Sequence, residues 1–169
     1  KWRCLQGLCL FNDEKKSSNI LWQIEKNRGK VNLKILKDYI VKEGKKPLVR
    51  ILAYCLMPNH YHLLIEELKE GGITKFMRRV GTGYTMFFNT KYERSGSLFE
   101  GPFKARAIDR DDYLLHATRY IHLNPLSLFE SGWKEKGVSD KNGAQEFILQ
   151  YPWSSLPNFL GKRKFSEII

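Results

Sequence analysis

Two histidines one residue apart, His60-Tyr61-His62, open a stretch whose composition predicts a β-strand. Residues i and i+2 of a strand point to the same side, so both imidazoles face one way and Tyr61 the other. Two neutral imidazoles on one face supply half of a divalent-metal site. The competing reading is a pair of surface histidines on an edge strand. Further along, Tyr120-Ile121-His122-Leu123-Asn124-Pro125 places a tyrosine and an asparagine four positions apart, on one face of a helix. A tyrosine oxygen can attack phosphorus and form a covalent phosphotyrosine, which makes Tyr120 the candidate nucleophile. A free phenol, with a pKa of about 10, is a poor nucleophile at neutral pH. A metal holding the scissile phosphate compensates as a Lewis acid. Asn124 is the candidate third ligand through its side-chain carbonyl, beside His60 and His62. This mixed nitrogen and oxygen set suits Mg²⁺ or Mn²⁺, with Mn²⁺ the easier match to imidazole. The bland alternative is that Tyr113, Ala117, Tyr120 and Asn124 form a packing stripe and that Asn124-Pro125 simply stops a helix. His116, one turn before Tyr120, either orients it or faces solvent. His122 falls off the Tyr120 face and is left out of the metal set.

The elements that must position these groups follow from periodicity. Residues 31–43 carry Leu33, Leu36, Tyr39 and Ile40 at helical spacing, and Gly44 follows as a stop. Residues 48–56, rich in Val, Ile, Leu and Tyr, predict a buried strand. Met57-Pro58-Asn59 interrupts it as a turn, and residues 60–66 return as a second strand, so the pair should form a hairpin. Residues 73–91 predict a helix with Ile73, Phe76, Met77, Val80, Tyr84 and Phe87 on one side. Ser95-Gly96 marks a turn, and residues 97–108 read as a strand broken by Gly101-Pro102. Asp111 is placed to cap a helix over 112–123, which Pro125 stops. Residues 132–144 are polar and glycine-containing and read as a loop, and the tail from 145 as one short helix followed by irregular structure. Strands and helices so intermixed predict an α+β fold, a sheet with helices on one face.

A chain of 169 residues is the size of one domain. At that length roughly 70% of the unfolded surface is buried, enough for a core. Against 18 Asp and Glu stand 29 Lys and Arg, giving a net charge of +11 and a pI near 9.6. Such an excess favours a polyanionic partner, because each phosphate contact releases condensed counterions. Cys4, Cys9 and Cys55 are odd in number and form no C-x-x-C pair, which argues for a reducing, cytoplasmic setting. The longest apolar run, Ile51 to Met57, is too short to span a membrane. The start, Lys1-Trp2-Arg3-Cys4, lacks the apolar core of a secretory signal and an initiator Met, so a missing or processed N-terminus is expected.

The stretch from Ala53 through Leu64, AYCLMPNHYHLL, resembles the HUH motif region of the insertion-sequence single-tyrosine transposases, and is nearest to the REP-associated tyrosine transposase branch. Three further segments match in the same order. NTKYERSGSLFEGPF, Asn89 through Phe103, is similar to the family's Asn-x-x-Tyr…Gly-x-Leu-Phe-x-Gly-x-Phe stretch. Tyr113 through Pro125 resembles the helix that ends Arg-Tyr-Ile-His-Leu-Asn-Pro, and Trp153-Ser154-Ser155 resembles a Trp-Ser-Ser segment near the domain's end. The resemblance implies a single HUH domain over residues 1–169, with its motifs in about 48–156, and a ferredoxin-like antiparallel sheet with helices packed on one face. It implies an enzyme that nicks single-stranded DNA, often beside a hairpin, through a 5′-phosphotyrosine, leaving a 3′-hydroxyl. A second strand can then reverse the step. Tyr120 is then the nucleophile and His60 and His62 are metal ligands. Asn124 stands where the third polar ligand falls and where related branches carry Gln. Relatives act as monomers or as dimers that exchange the tyrosine helix, so a homodimer is a possible assembly.

The chain departs from the family pattern in three places. The expected opening strand of the type Tyr-His-Val is absent, and Leu5 to Phe11 is the stretch that could replace it. Pro102 sits where the family commonly has Arg. Residues 126–150 are long for the family's connection to the Trp-Ser-Ser segment. Candidate DNA contacts are Arg78 and Arg79, with Lys75, on the long helix, and Lys104 and Arg106, with Arg110, around the third strand. Phe76, Phe99 and Phe103 are interleaved with them and could stack unpaired bases if exposed. The region Lys42 to Lys46 reads as a solvated loop. Two other function classes compete with the nicking enzyme. One is a catalytically inactive or domesticated hairpin-DNA-binding protein. The other is an RNA-binding module, which would need aromatics exposed on the sheet face.

Overall fold

The computed structural model describes residues 1–15, 46–162 and 168. The helix expected over 31–43 lies outside them, as does all but Lys46 of the expected Lys42–Lys46 loop. In chain order the elements are α1 (Trp2–Leu10), β1 (Val49–Leu56), β2 (Tyr61–Glu67), α2 (Gly72–Lys91), α3 (Asp111–Leu123), α4 (Leu126–Phe129), α5 (Trp133–Lys136), α6 (Lys141–Gln150) and α7 (Leu156–Phe159). The mixture of helix and sheet is the α+β class, and β1 and β2 form the sheet of the described residues. Backbone bonds Leu68 N to Leu48 O and Met57 N to His60 O close its two ends, so the strands run antiparallel through a tight connection at Met57–His60. Among the described residues no helix is long and apolar enough to cross a membrane. The chain divides into two compact units, one of residues 1–50, 66–105 and 168, the other of residues 51–65, 106–167 and 169.

In the first unit the stretch proposed as a replacement strand, Leu5 to Phe11, is helical instead, within and just after α1. The sequence WRCLQGLCL holds no β-branched residue, and Leu5, Leu8 and Cys9 recur at i, i+3 and i+4, a helix period. Its inward face packs on α2, and Leu8 is wholly buried. Gly83 of α2 permits the close approach, because a Cβ there would collide with the Phe11 ring. Just beyond α1, Asn12 substitutes for strand pairing. Its buried side chain accepts from Leu48 N (2.9 Å) and Val49 N (3.0 Å) and donates to Val49 O (2.7 Å). The apolar stripe expected on α2 is real, with Phe76, Met77 and Val80 buried. The strand expected over 97–108 does not form. Residues 100–110 are all exposed, and Pro102 lacks the N–H a ladder needs.

In the second unit, α3 lays Ala117 and Ile121 against Ala53, Cys55, Met57, Leu64 and Tyr151. Arg110, not Asp111, is its N-cap; Asp111 and Asp112 fill the first turn, where the helix dipole favours carboxylates. The Trp153–Ser155 segment pairs with the free edge of β1. Leu56 N donates to Trp153 O (2.8 Å) and Ser155 N to Tyr54 O (3.0 Å), around an antiparallel bridge between Cys55 and Ser154. The loop expected through 132–144 is interrupted by α5 and by the start of α6, which is capped by Asp140 accepting from Gly143 N (2.9 Å).

Candidate active site

His60 and His62 converge as strand alternation requires: their rings meet edge to face with centroids 5.0 Å apart. His60 ends the turn and is exposed, and its Nδ1 lies 2.8 Å from Asn59 Oδ1. That contact fixes the ring and leaves Nε2 open. His62, on β2 two positions before the core residue Leu64, is half-buried. Burial makes its proton easier to lose than that of a free imidazole, and the charges of His60 and Lys134 act the same way. Both effects favour the neutral ring, the form of imidazole that can ligate a metal.

Helix α3 brings Tyr120 and Asn124 to the same place. The Tyr120 ring meets His62 edge to face at 5.4 Å between centroids, and Tyr120 stays 39% exposed, within reach of a substrate. Asn124 ends the helix and is only 4% exposed. Its carbonyl accepts from Ser127 N (3.1 Å) and Ser127 Oγ (2.8 Å), which fixes the backbone from which the amide projects. The amide is near enough to His62 to support its protonation somewhat. Yet His62 Nε2 and Asn124 Nδ2 are both buried without a hydrogen bond of normal geometry. A contact must be short and aligned to satisfy a donor. Unsatisfied buried polar atoms are costly, and an amide turned by half a revolution presents its oxygen instead. Among the described residues no three His, Cys, Asp or Glu gather as a metal cluster. A cation here would therefore rest on two imidazoles and one amide oxygen, a neutral set, and the orphaned atoms fit it.

A model of a known protein family matches the part of the chain that carries these residues. The model described as "Transposase IS200 like" matches residues 16–124, which include both histidines, Tyr120 and Asn124. The chain belongs to the IS200-like transposase family. Members of that family act on DNA in transposition. No curated protein and no solved structure matches the chain.

The remaining expected residues fall as follows. His116 is exposed. His122 is buried away from the metal set, its Nε2 2.8 Å from Ser155 Oγ, and burial pushes it down to about 4. Arg78, Lys104 and Arg106 are exposed; Arg106 lies over the Tyr113 ring at 5.4 Å, as does Arg110 at 5.3 Å. The Arg79 guanidinium instead donates to the backbone carbonyls of Asp13 and Lys15, and Lys75 donates to Glu14 O at 3.1 Å. Phe76 is wholly buried and cannot stack a base, whereas Phe103 is 41% exposed. Sequence reasoning missed Lys134. Its Nζ stands 3.4 Å from the Tyr120 hydroxyl and 4.5 Å from the ring centroid. A polar segment read as loop gave no periodicity that would have pointed to it.

Proposed function

We propose that this IS200-like transposase cuts and rejoins single-stranded DNA with Tyr120 as nucleophile and a Mg²⁺ or Mn²⁺ ion held by His60, His62 and Asn124. The observation that carries the reading is the contact of the Tyr120 ring with His62, itself against His60, beside an orphaned Asn124 amide. The phenolic oxygen attacks the phosphorus, the bond from phosphorus to the 3′ oxygen breaks, and the phenolic proton is balanced by the one gained by the leaving 3′-hydroxyl. The product is a 5′-phosphotyrosine. It conserves the phosphodiester's energy, so the 3′-hydroxyl of a second strand can displace Tyr120 without ATP. When bound, the metal neutralises charge on the phosphate oxygens and polarises the phosphorus. The protein's part is to hold two imidazoles and one amide together, with the tyrosine next to them. Because the donor set is neutral, a divalent ion held there would keep its full charge for the phosphate.

The partner in this reading is single-stranded or hairpin DNA, met in the cytoplasm. Arg78, Lys104 and Arg106 are the phosphate contacts. Arg79, engaged by backbone carbonyls, serves the N-terminal segment. The sheet is the HUH type of ferredoxin-like arrangement, with Trp153–Ser155 on the far edge of β1, and motif order favours the REP-associated branch. Tyr120 already lies on the His62 of its own chain, which supports cleavage without exchange of helices between two copies.

The test is a nicking assay with Mn²⁺ and labelled single-stranded DNA carrying a hairpin from the flanks of the protein's own gene. A denaturation-resistant protein–DNA adduct is expected with the wild type and none with Tyr120→Phe or with excess chelator. Hairpin binding with no adduct in any condition would favour the inactive binding protein.

A further inference from the structure

We infer that Lys134 is a further catalytic residue, one that stabilises negative charge on the Tyr120 oxygen as it attacks phosphorus and as it leaves. The inference rests on the nicking reading above. Residues 126–150 join α3 to the Trp153–Ser155 segment, and none of the proposed metal ligands lies among them. Within this stretch the chain folds back as a compact loop. Ser139 donates to Glu130 Oε2 from both N (3.0 Å) and Oγ (2.9 Å), which ties the loop's ends together. Loops closed in this way hold their shape by their own contacts. At its tip, α5 is one turn bracketed by Gly132 (φ 77°) and Gly137 (φ 78°), both in the left-handed region that a side chain disfavours. The turn presents Lys134 to Tyr120.

The geometry is that of charge stabilisation. Lys134 Nζ donates to the Tyr120 hydroxyl at 3.4 Å and lies over the same ring at 4.5 Å. An ammonium has three donors and no acceptor, so it bonds a phenolate better than a phenol. The Tyr120 oxygen gains negative charge when it gives up its proton, and again when a 3′-hydroxyl displaces it from phosphorus. The proton leaving the phenol is balanced at the departing 3′ oxygen, and Lys134 acts only as a hydrogen-bond donor. A donor aimed at charge that develops in the transition state acts on rate more than on binding. Hydrogen bonds to charged groups correspond to about tenfold to a hundredfold in an equilibrium or rate.

The experiment is single-turnover adduct formation at saturating hairpin DNA with Mn²⁺, for wild type, Lys134→Ala, Lys134→Arg and Tyr120→Phe. Rejoining of the purified adduct by a free 3′-hydroxyl strand and the Kd for the same DNA are measured alongside. Lys134→Ala is expected to slow cleavage and rejoining alike by about tenfold to a hundredfold, with Kd changed by less than about threefold. Lys134→Arg should recover most of the rate, since it keeps the charge and a donor. Lys134 is exposed, and equal melting temperatures will confirm that the variants fold. A Lys134→Ala adduct rate equal to wild type overturns the inference alone. So does a loss confined to Kd, which would make Lys134 a phosphate contact. A wild type that forms no adduct overturns the nicking reading and this inference together.

Discussion

At the scale of single residues, the folded chain leaves two buried polar atoms without a hydrogen bond, His62 Nε2 and Asn124 Nδ2. If they serve a cation, adding charge to the donor set should strengthen its hold. Asn124→Asp is expected to tighten Mn²⁺ binding by about tenfold or more, because ligand charge count sets divalent affinity. Titration calorimetry without DNA reads this directly, and an unchanged affinity would remove Asn124 from the ligand set. His122 gives a different prediction. Burial holds it neutral in the folded chain, down to about 4 against an ordinary 6.5. The unfolded chain therefore binds more protons between these values. The stabilising contribution is complete above about pH 6.5 and is lost as pH falls through 4, amounting to about 3 kcal/mol at most. Denaturant titrations of His122→Gln should show a flatter pH dependence across that window than wild type. Parallel curves would contradict the assignment.

At the scale of elements, the segments with strong periodicity were legible in advance. β1, β2, α2 and α3 begin and end within two residues of expectation, and the i, i+2 rule put the histidines together. What failed was of a different kind. Leu5 to Phe11 was weighed as a strand because a family pattern calls for one there, although its residues have a helical period and lack β-branching. Residues 97–108 contain apolar residues, but they form no strand. The short helix expected in the tail from 145 exists as α6, but it starts earlier, at Lys141, because its polar first turn behind the Asp140 cap reads as loop. The Trp-Ser-Ser segment was recognised only as a motif, and its physical role is to complete the edge of β1. Ser155 Oγ bonds both Tyr54 N (2.9 Å) and Tyr54 O (3.2 Å) and also meets His122. Ser155→Ala removes the hydroxyl that meets Tyr54 N and His122 Nε2, while Tyr54 O keeps the bond from Ser155 N, and is expected to cost about 1–3 kcal/mol in denaturant unfolding. On the other unit, Gly83→Ala should cost about 1–3 kcal/mol by overpacking against Phe11. Phe11→Leu should then cost less in the Gly83→Ala background than in the wild type. Additive costs would show that the ring is not the obstacle.

At the scale of the whole molecule, the net charge of +11 suits a polyanion, and the family assignment supplies the polyanion as DNA. Binding to single-stranded DNA should weaken steeply with salt. Replacing Arg78, Lys104 or Arg106 by Ala should each reduce the slope of log K against log salt by about 0.7 where that residue meets a phosphate. A variant with an unchanged slope makes no such contact. The central claim, that Tyr120 becomes covalently joined to DNA, is tested most directly by mapping the adduct. The protein would be trapped on a single-stranded hairpin substrate with Mn²⁺, digested with protease and nuclease, and its peptides weighed. The account predicts a residual 5′-linked nucleotide phosphate on the peptide containing Tyr120 and on no other. A nucleotide on another residue, such as Tyr113, or none on any peptide despite cleaved DNA, would contradict it.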